Sequence, residues 1–525
     1  HTSYHLGKIN LLYYRAYHQQ EALESTKEWF ATSDRGKLFM ACGTGKTFTA
    51  LKIAEEIAGK NKRVLFLVPS LALASQTITE WIIESKTPIH AFAVCSDSDV
   101  GKRKAKDDDI SKLTTHDLAY PATTDARMLA LKNEIQNQDK MTVIFSTYQS
   151  IAVIHKAQKE YGMAEFDLII CDEAHRTTGA TLLGEDDSEF VKIHNNDFIR
   201  GKKRLYMTAT PRIYIDSVKE KAKAVKAELF SMDDIDVYGQ VFYSLKFGEA
   251  VEKNLLTDYK VIVLALDAKQ ISRDMQKYFK GAGEGGLDLD DVAKMIGCYK
   301  ALIKEGLQVN DHKPMQRAVS FCKSIASSKD FAKEFGLVVN EYLSIYPEIS
   351  NIICELDHVD GTMNATEKGK KLLWLKENTQ GTCRILSNAK CLSEGVDVPS
   401  LDAVMFIHGR KSKVDIVQSV GRIMRKAPNK SLGYIIIPVV IPEGKNSEEE
   451  LAKKEQLERE KSIFINDEHA GLDKNSLLTH EEATKVKTIS EIEMGAYKSE
   501  AWYFSPYPEG YHNIKCLYLC EFCLN

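Results

Sequence analysis

The segment Ala41-Cys-Gly-Thr-Gly-Lys-Thr47 constrains this 525-residue chain more than any other. It lies between a strand-like run, Lys37 to Met40, and a helical run, Phe48 to Ala58, which is the strand, phosphate-loop, helix order. Gly43 and Gly45 carry no Cβ, so successive backbone N–H groups, that of Thr44 included, can wrap phosphate oxygens at a helix N-terminus, where the helix dipole also favours negative charge. Lys46 is then placed to meet the β and γ phosphates of ATP, and the Thr47 hydroxyl to complete the coordination of Mg2+. The general pattern asks for a glycine five residues before Gly45, and Met40 stands there instead.

Two further motifs extend this site. Asp172-Glu-Ala-His175 follows the apolar run Phe166-Asp-Leu-Ile-Ile-Cys171, which reads as a buried parallel strand and places both carboxylates at a C-terminal sheet edge, where open α/β sheets put their ligands. Asp172 is expected to hold Mg2+ through a water, and Glu173 to orient or deprotonate an attacking water, with His175 beside the nucleotide. Far downstream stands Gln418-Ser-Val-Gly-Arg422-Ile-Met-Arg425. Arg422 and Arg425 are three apart, so on a helix they share a face and can neutralise charge developing on a γ-phosphate; Gln418 occupies the preceding turn. A nucleotide site assembled from two distant segments couples its chemistry to domain motion.

The ordered set resembles a superfamily 2 helicase or translocase. Arg15-Ala-Tyr-His-Gln19-Gln-Glu-Ala22 is similar to the Q motif, with Gln19 as its nucleotide contact, Leu67-Val-Pro-Ser-Leu71 to motif Ia, Phe145-Ser-Thr-Tyr-Gln149 to motif Ib and Thr208-Ala-Thr-Pro211 to motif III. In the second half Ala318-Val-Ser-Phe-Cys322 resembles motif IV, and Ser393-Glu-Gly-Val-Asp-Val-Pro399 motif V, whose Gly395 and Asp397 the resemblance assigns to the nucleotide. The wording Asp172-Glu-Ala-His-Arg-Thr-Thr-Gly179 narrows the likeness to the ATPase motors of restriction-modification enzymes, the single-chain type ISP group above all, and of the related type I and type III enzymes. The resemblance implies movement along duplex DNA, with a nuclease before the motor and methyltransferase and target-recognition domains after it on one polypeptide. No Asn-Pro-Pro-Tyr methylation signature is present and the first residue is His1, so the chain is expected to be a fragment or a stand-alone motor.

By the same resemblance, nucleic acid is contacted by Pro69 and Ser70, Ser146 and Thr147, then Ser320, Asn388 and Ser393. Hydroxyls and backbone amides suit phosphates, which fix position rather than sequence, so tracking is expected to be independent of sequence. Thr-Ala-Thr in motif III, where DEAD-box RNA helicases have Ser-Ala-Thr, weakens the alternative of an RNA helicase. A nucleotide-switched clamp that never steps is the other alternative, and Glu173 with both arginines speaks against it.

Strand-like runs that end in motifs recur in both halves: Arg63 to Pro69, Thr142 to Tyr148 and Arg204 to Thr208, then Ala318 to Cys322, Ile352 to Leu356, Arg384 to Ser387, Ala403 to Ile407 and Gly433 to Val440. Two tandem RecA-like, doubly wound parallel-sheet domains are the economical α/β solution, at 1–245 and 246–445, with a mostly helical extension or coupler at 446–525. Ile213 to Leu256 is expected to cross between the domains, and 267–306 to be a helical insertion. A net charge of −4 gives no general polyanion footprint, so any grip on nucleic acid has to be local. No apolar run reaches membrane-spanning length and no secretory signal is legible, so a cytoplasmic protein with reduced thiols is expected. His512, Cys516, Cys520 and Cys523 near the end are read as reduced thiols and a bystander histidine rather than as a zinc site.

Overall fold

The computed structural model describes residues 17–95, 122–134, 139–182, 188–214, 216–224, 227–267, 289–305, 313–347, 349, 352–363, 365–377, 381–392, 401–409, 413–427, 430–441, 491–494, 497–500 and 516–519. Ser393, Gly395 and Asp397 lie outside the described residues, as do His512, Cys520 and Cys523.

Residues up to Leu255 and those from Leu256 form the cores of two separate units. The first is built on β1 (Arg35–Met40), β2 (Arg63–Val68), β3 (Ile89–Val94), β4 (Ala122–Thr123), β5 (Met141–Thr147), β6 (Leu168–Cys171), β8 (Arg204–Thr208) and β10 (Gln240–Leu245), while β7 (Gly179–Leu182) and β9 (Ala227–Phe230) pair as a separate antiparallel ribbon. The eight-stranded sheet runs β10-β1-β8-β6-β2-β5-β3-β4, and every neighbouring pair is parallel. A strand covered by helices on both faces has no polar side to offer, and the central strands are accordingly near-continuous apolar runs. Val64, Phe66 and Val68 of β2 pack with the helices Lys46–Ile57 and Leu71–Glu84, while the intervening Leu65 and Leu67 pack with the helices Ala126–Glu134 and Ile151–Glu160. The alternation of faces along one strand is the signature of a doubly wound sheet.

The second unit repeats the plan with β11 (Asp258–Asp267), β12 (Arg317–Phe321), β13 (Ile353–His358), β14 (Thr382–Asn388), β15 (Ala403–Phe406) and β16 (Leu432–Ile441), in the all-parallel order β11-β16-β15-β12-β14-β13. Ala318, Ile385, Met405 and Ile436 face the helices Leu289–Leu302 and Ile325–Ile345, and their strand neighbours Val319, Leu386, Val404 and Ile435 are buried as well.

Two expected boundaries differ. The segment Ile213 to Leu256 does not simply cross between units: it supplies β9 and the edge strand β10, and Phe242 of β10 occupies the space above Gly36, where a Cβ would lie 2.1 Å from its ring. Trp29 stacks on the same ring at 5.7 Å. The first unit therefore runs about ten residues past 245. Likewise 267–306 is not an insertion in its described part, because Val292, Met295, Cys298, Tyr299 and Leu302 of the helix Leu289–Leu302 are buried in the second core. In the extension expected to be mostly helical, the described residues are strands: β17 (Glu491–Met494), β18 (Tyr497–Glu500) and β19 (Cys516–Leu519), in the order β18-β17-β19. Among the described residues no helix is long and apolar enough to cross a membrane.

Candidate nucleotide site

β1 delivers the phosphate loop to the C-terminal edge of the first sheet. Met40, which replaces the expected glycine, is fully buried in the core, so the position belongs to the strand and the loop begins at Ala41, whose N–H donates to the Leu245 carbonyl at 3.0 Å. Gly43 and Gly45 both adopt left-handed backbone, with φ of 87° and 86°, which a side chain would resist. A Cβ on Gly45 would also lie 2.3 Å from Gln19 Nε2, so the Gln19 amide is laid directly on the loop. The preceding residue, His18, is buried and its Nε2 donates to the Thr44 carbonyl at 2.8 Å. The sequence assigns this latch no role, because an imidazole within the Q-like motif carries no distinguishing signal of its own. Thr44 Oγ1 closes the loop internally on the Ala41 carbonyl at 2.7 Å, and Trp81 Nε1 donates to the Thr47 carbonyl at 3.1 Å, tying the start of the helix Lys46–Ile57 to the helix Leu71–Glu84.

β6 ends at Cys171 and hands over to Asp172 and Glu173. Lys46 Nζ lies 2.9 Å from Glu173 Oε1 and 3.2 Å from Asp172 Oδ1, and all three side chains are at most 12% exposed. Burial alone would neutralise each of them. Instead burial at Lys46 is overridden by the two carboxylates, which raise its pKa, and burial at Glu173 is overridden above all by Lys46, which holds its pKa below the usual carboxylate range. Asp172 is pushed upward, by burial first and the Glu173 charge next, with Lys46 opposing both. Glu173 Oε2 is buried and accepts no hydrogen bond among the described residues, although His175 Nδ1 stands 3.4 Å away. His175 Nδ1 also meets Thr208 Oγ1, from the end of β8, at 3.0 Å, and burial pushes the histidine pKa down to about 3, so it is neutral.

In the second unit the helix Lys413–Ile423 carries Gln418 and Arg422 but stops before Arg425. Arg425 sits in the turn that follows, its N–H 3.5 Å from the Arg422 carbonyl, so the two arginines do not share a helical face as their spacing predicts. That turn is fixed by other residues. Lys430 Nζ donates to the carbonyls of Ile423 and, at 3.2 Å, Arg425, and the Thr257 N–H donates to the Met424 carbonyl at 2.6 Å.

The expected nucleic-acid contacts are placed less simply. Pro69 is buried, and Ser70, half-buried, caps the helix Leu71–Glu84 through Leu73 N. The hydroxyls of Ser146 and Thr147 are turned inward, to the Thr147 carbonyl at 3.0 Å and to Ser150 Oγ at 3.1 Å. Ser320 and Asn388 are fully buried, and the Asn388 amide bridges the Ser320 carbonyl at 3.0 Å to Leu392 N at 3.2 Å. Ser146, Thr147 and Asn388 thus shape the loops at the sheet edge rather than line its surface, and Ser320 Oγ is buried without a hydrogen-bond partner among the described residues.

Residues 13–213 match the family described as type III restriction enzyme, res subunit, and residues 298–427 match the helicase conserved C-terminal domain. The chain carries a superfamily 2 helicase ATPase core. Its structure is similar to that of the ATP-dependent type ISP restriction-modification enzyme LlaBIII bound to DNA, with 43% identity and a TM-score of 0.70 over 82% of this chain and 28% of that one. A nuclease-deletion mutant of the type ISP enzyme LlaGI, in complex with a DNA substrate mimic, is 35% identical with a TM-score of 0.55, over 83% of this chain and 28% of that one. A probable helicase of African swine fever virus is 25% identical over 425 residues, 81% of this chain and 41% of the relative. The chain therefore spans less than half the length of these relatives.

The terminal segment has different relatives. Residues 486–525 match the MYST family zinc finger domain, and 57 residues are 58% identical to histone acetyltransferase of the MYST family 2 from Arabidopsis thaliana, 11% of this chain and 13% of that protein. This likeness covers the residues read from the sequence as reduced thiols, His512, Cys516, Cys520 and Cys523. Cys520-Glu-Phe-Cys523 is itself a Cys-x-x-Cys pair, which grouping with Cys516 and His512 obscures.

Proposed function

We propose that this chain is the ATP-driven motor of a restriction-modification or related defence enzyme, moving along duplex DNA without regard to sequence. The observation that carries the reading is the buried cluster of Lys46, Asp172 and Glu173 at the mouth of a left-handed glycine loop, in a chain 43% identical to a type ISP enzyme bound to DNA. Nuclease, methyltransferase and target-recognition domains on the same full-length polypeptide belong to the same proposal.

The amides of Gly43 to Thr47 form the cradle for the phosphates of ATP, and Lys46 already stands in it. Thr47 and Asp172 are the residues that would hold Mg2+, which when bound neutralises phosphate charge. Glu173, kept ionised by Lys46, is the base that takes a proton from the attacking water. Gln19, laid over Gly45, and His18, bonded to the Thr44 carbonyl, keep the loop and the helix over 17–29 in register. Arg422 and Arg425 supply positive charge to the phosphates during hydrolysis. Because the side chains of Ser146, Thr147, Ser320 and Asn388 are internal, contact with DNA phosphates falls to the backbone amides of the loops they shape.

Steady-state ATP hydrolysis measured without nucleic acid, with duplex DNA, with single-stranded DNA and with RNA tests the proposal. Stimulation by duplex DNA of unrelated sequences is the expected result. Stimulation by RNA alone would transfer the reading to an RNA helicase, and slow hydrolysis indifferent to every polymer would replace the motor with a nucleotide-switched clamp.

A further inference from the structure

Glu173 has φ 48° and ψ 45°, left-handed backbone that a residue with a Cβ occupies only when its surroundings over-determine it. The surroundings are specific. Between Asp172 and Thr177 four carbonyls each accept a hydrogen bond from a buried side chain: Asp172 from Tyr148 OH at 2.8 Å, Ala174 from Thr177 Oγ1 at 2.8 Å, His175 from Thr178 Oγ1 at 2.7 Å, and Thr177 from both Tyr238 OH and His194 Nε2 at 2.9 Å. The last two donors come from remote sequence. His194 precedes β8, and Tyr238 closes the short helix Ile235–Tyr238, within the segment that the sequence alone marked as an interdomain crossing.

The tautomer of His194 follows from its partners. A carbonyl only accepts, so Nε2 carries the proton and Nδ1 accepts from Tyr206 OH at 3.0 Å. Burial pushes this histidine down to about pKa 3, which keeps it neutral and the tautomer fixed. His194, Tyr206 and Tyr238 pack ring on ring, with centroids 4.8 to 5.5 Å apart. Among the described residues no hydrogen bond joins any of the three to the phosphate loop, yet together they fix the far end of the turn that Glu173 begins.

We propose that Tyr238 and His194 are positioning residues for hydrolysis, holding Glu173 in its left-handed conformation by anchoring the Thr177 carbonyl from beneath the sheet edge. The inference rests on the reading of Glu173 as the base that activates water. A turn released from this anchor lets Glu173 relax toward ordinary backbone, which swings its carboxylate away from Lys46 while leaving the phosphate loop untouched.

The test compares Tyr238→Phe, His194→Leu and His194→Gln with the parent chain, scoring ATP hydrolysis and the affinity for a fluorescent ATP analogue. The first two variants should lower kcat by about tenfold, the worth of one buried hydrogen bond, with KM and analogue affinity within about twofold of the parent. His194→Gln, whose amide can donate to the same carbonyl, should recover most of the rate. Unchanged kcat in both Tyr238→Phe and His194→Leu would overturn the proposal. So would parallel loss of kcat and nucleotide affinity with no recovery in His194→Gln, which marks a general packing role. Glu173→Gln separates the two layers: if it hydrolyses ATP at the parent rate, the reading of Glu173 itself has failed; if it is inactive while the anchor variants are normal, only the anchor has.

Discussion

The C-terminal edges of the two parallel sheets are filled in opposite ways. The first gathers full charges, Lys46 between Asp172 and Glu173, with a neutral His175 behind them. The corresponding edge of the second, where β13 and β14 end, gathers short polar groups that satisfy one another: Ser328 Oγ lies 2.7 Å from His358 Nδ1 and 2.9 Å from Ser387 Oγ, and His358 Nε2 lies 2.9 Å from Asp360 Oδ2. A buried cation held by two carboxylates has an alternative partner in a polyanion, whereas a hydroxyl and imidazole network that ends on the carboxylate of Asp360 offers a polyanion no buried cation. The difference teaches which edge is built to exchange partners and which is built to hold loops still.

The strongest way to break this comparison is Lys46→Ala. It leaves Asp172 and Glu173 buried against each other and removes the cation offered to the phosphates. Nucleotide affinity should fall by an amount equivalent to roughly 2–5 kcal/mol, and hydrolysis with it. Binding of a fluorescent ATP analogue checks this, and retained affinity would mean that the charged edge is structural after all.

Arg425→Ala should spare nucleotide affinity and lower kcat, by about 10³-fold on the arginine-finger precedent. Single-turnover hydrolysis alongside the binding measurement distinguishes it from Lys46→Ala. Equal loss of affinity in both variants would erase the proposed division of labour between the two units.

How much of this was legible beforehand varied with the physics. Strands such as β2, β5, β6 and β8 are buried on both faces, and uninterrupted apolar runs leading into motifs disclose them. The edge strand β10 is half exposed, with Val241 open and Phe242 buried, so its sequence reads as a connection. The Lys46, Asp172 and Glu173 cluster follows from motif order, but the left-handed backbone at Glu173 does not, because Tyr148, His194 and Tyr238, which bond the turn it opens, are scattered over ninety residues. Ser146, Thr147, Ser320 and Asn388 are assigned to nucleic acid by resemblance, and a hydroxyl or amide in a motif cannot announce whether its partner is a phosphate or its own loop. Arg425 was placed on a helix by spacing, and the helix end at Ile423 depends on Lys430, a residue the motif does not include.

The second edge sharpens the comparison through pH. At Asp360 burial favours the neutral acid, but hydrogen bonds from Thr362 and His358, with Lys329 nearby, hold the carboxyl well below its usual range. A depressed pKa contributes stability that is present above the unfolded value, about 3.9, and lost as pH falls through the folded one. Asp360→Asn should therefore destabilise the second unit by about 1–3 kcal/mol at neutral pH, and its deficit relative to the parent should shrink as the pH drops below about 4. Hydrogen exchange in the helix Ile325–Ile345 reads the local effect, and a deficit independent of pH would show that ionisation of Asp360 is irrelevant to it.

The smallest expected effect concerns the turn that carries Arg425. Lys430 is largely buried, which pushes its pKa down to about 8, and it still spends its amino group on the carbonyls of Ile423 and Arg425. A cation near the last carbonyls of a helix is favourable to the helix dipole, so the group caps the helix Lys413–Ile423 and fixes where its chain turns. Lys430→Met keeps the apolar stem and removes both donors, so kcat should fall by a few-fold, the equivalent of about 1 kcal/mol, with nucleotide affinity unchanged. A loss as large as that of Arg425→Ala would mean that the turn, rather than the guanidinium, limits hydrolysis. No loss at all would mean that Arg425 finds its place without help from its own unit, and the contrast between an edge that exchanges partners and an edge that holds loops would no longer extend to the arginines.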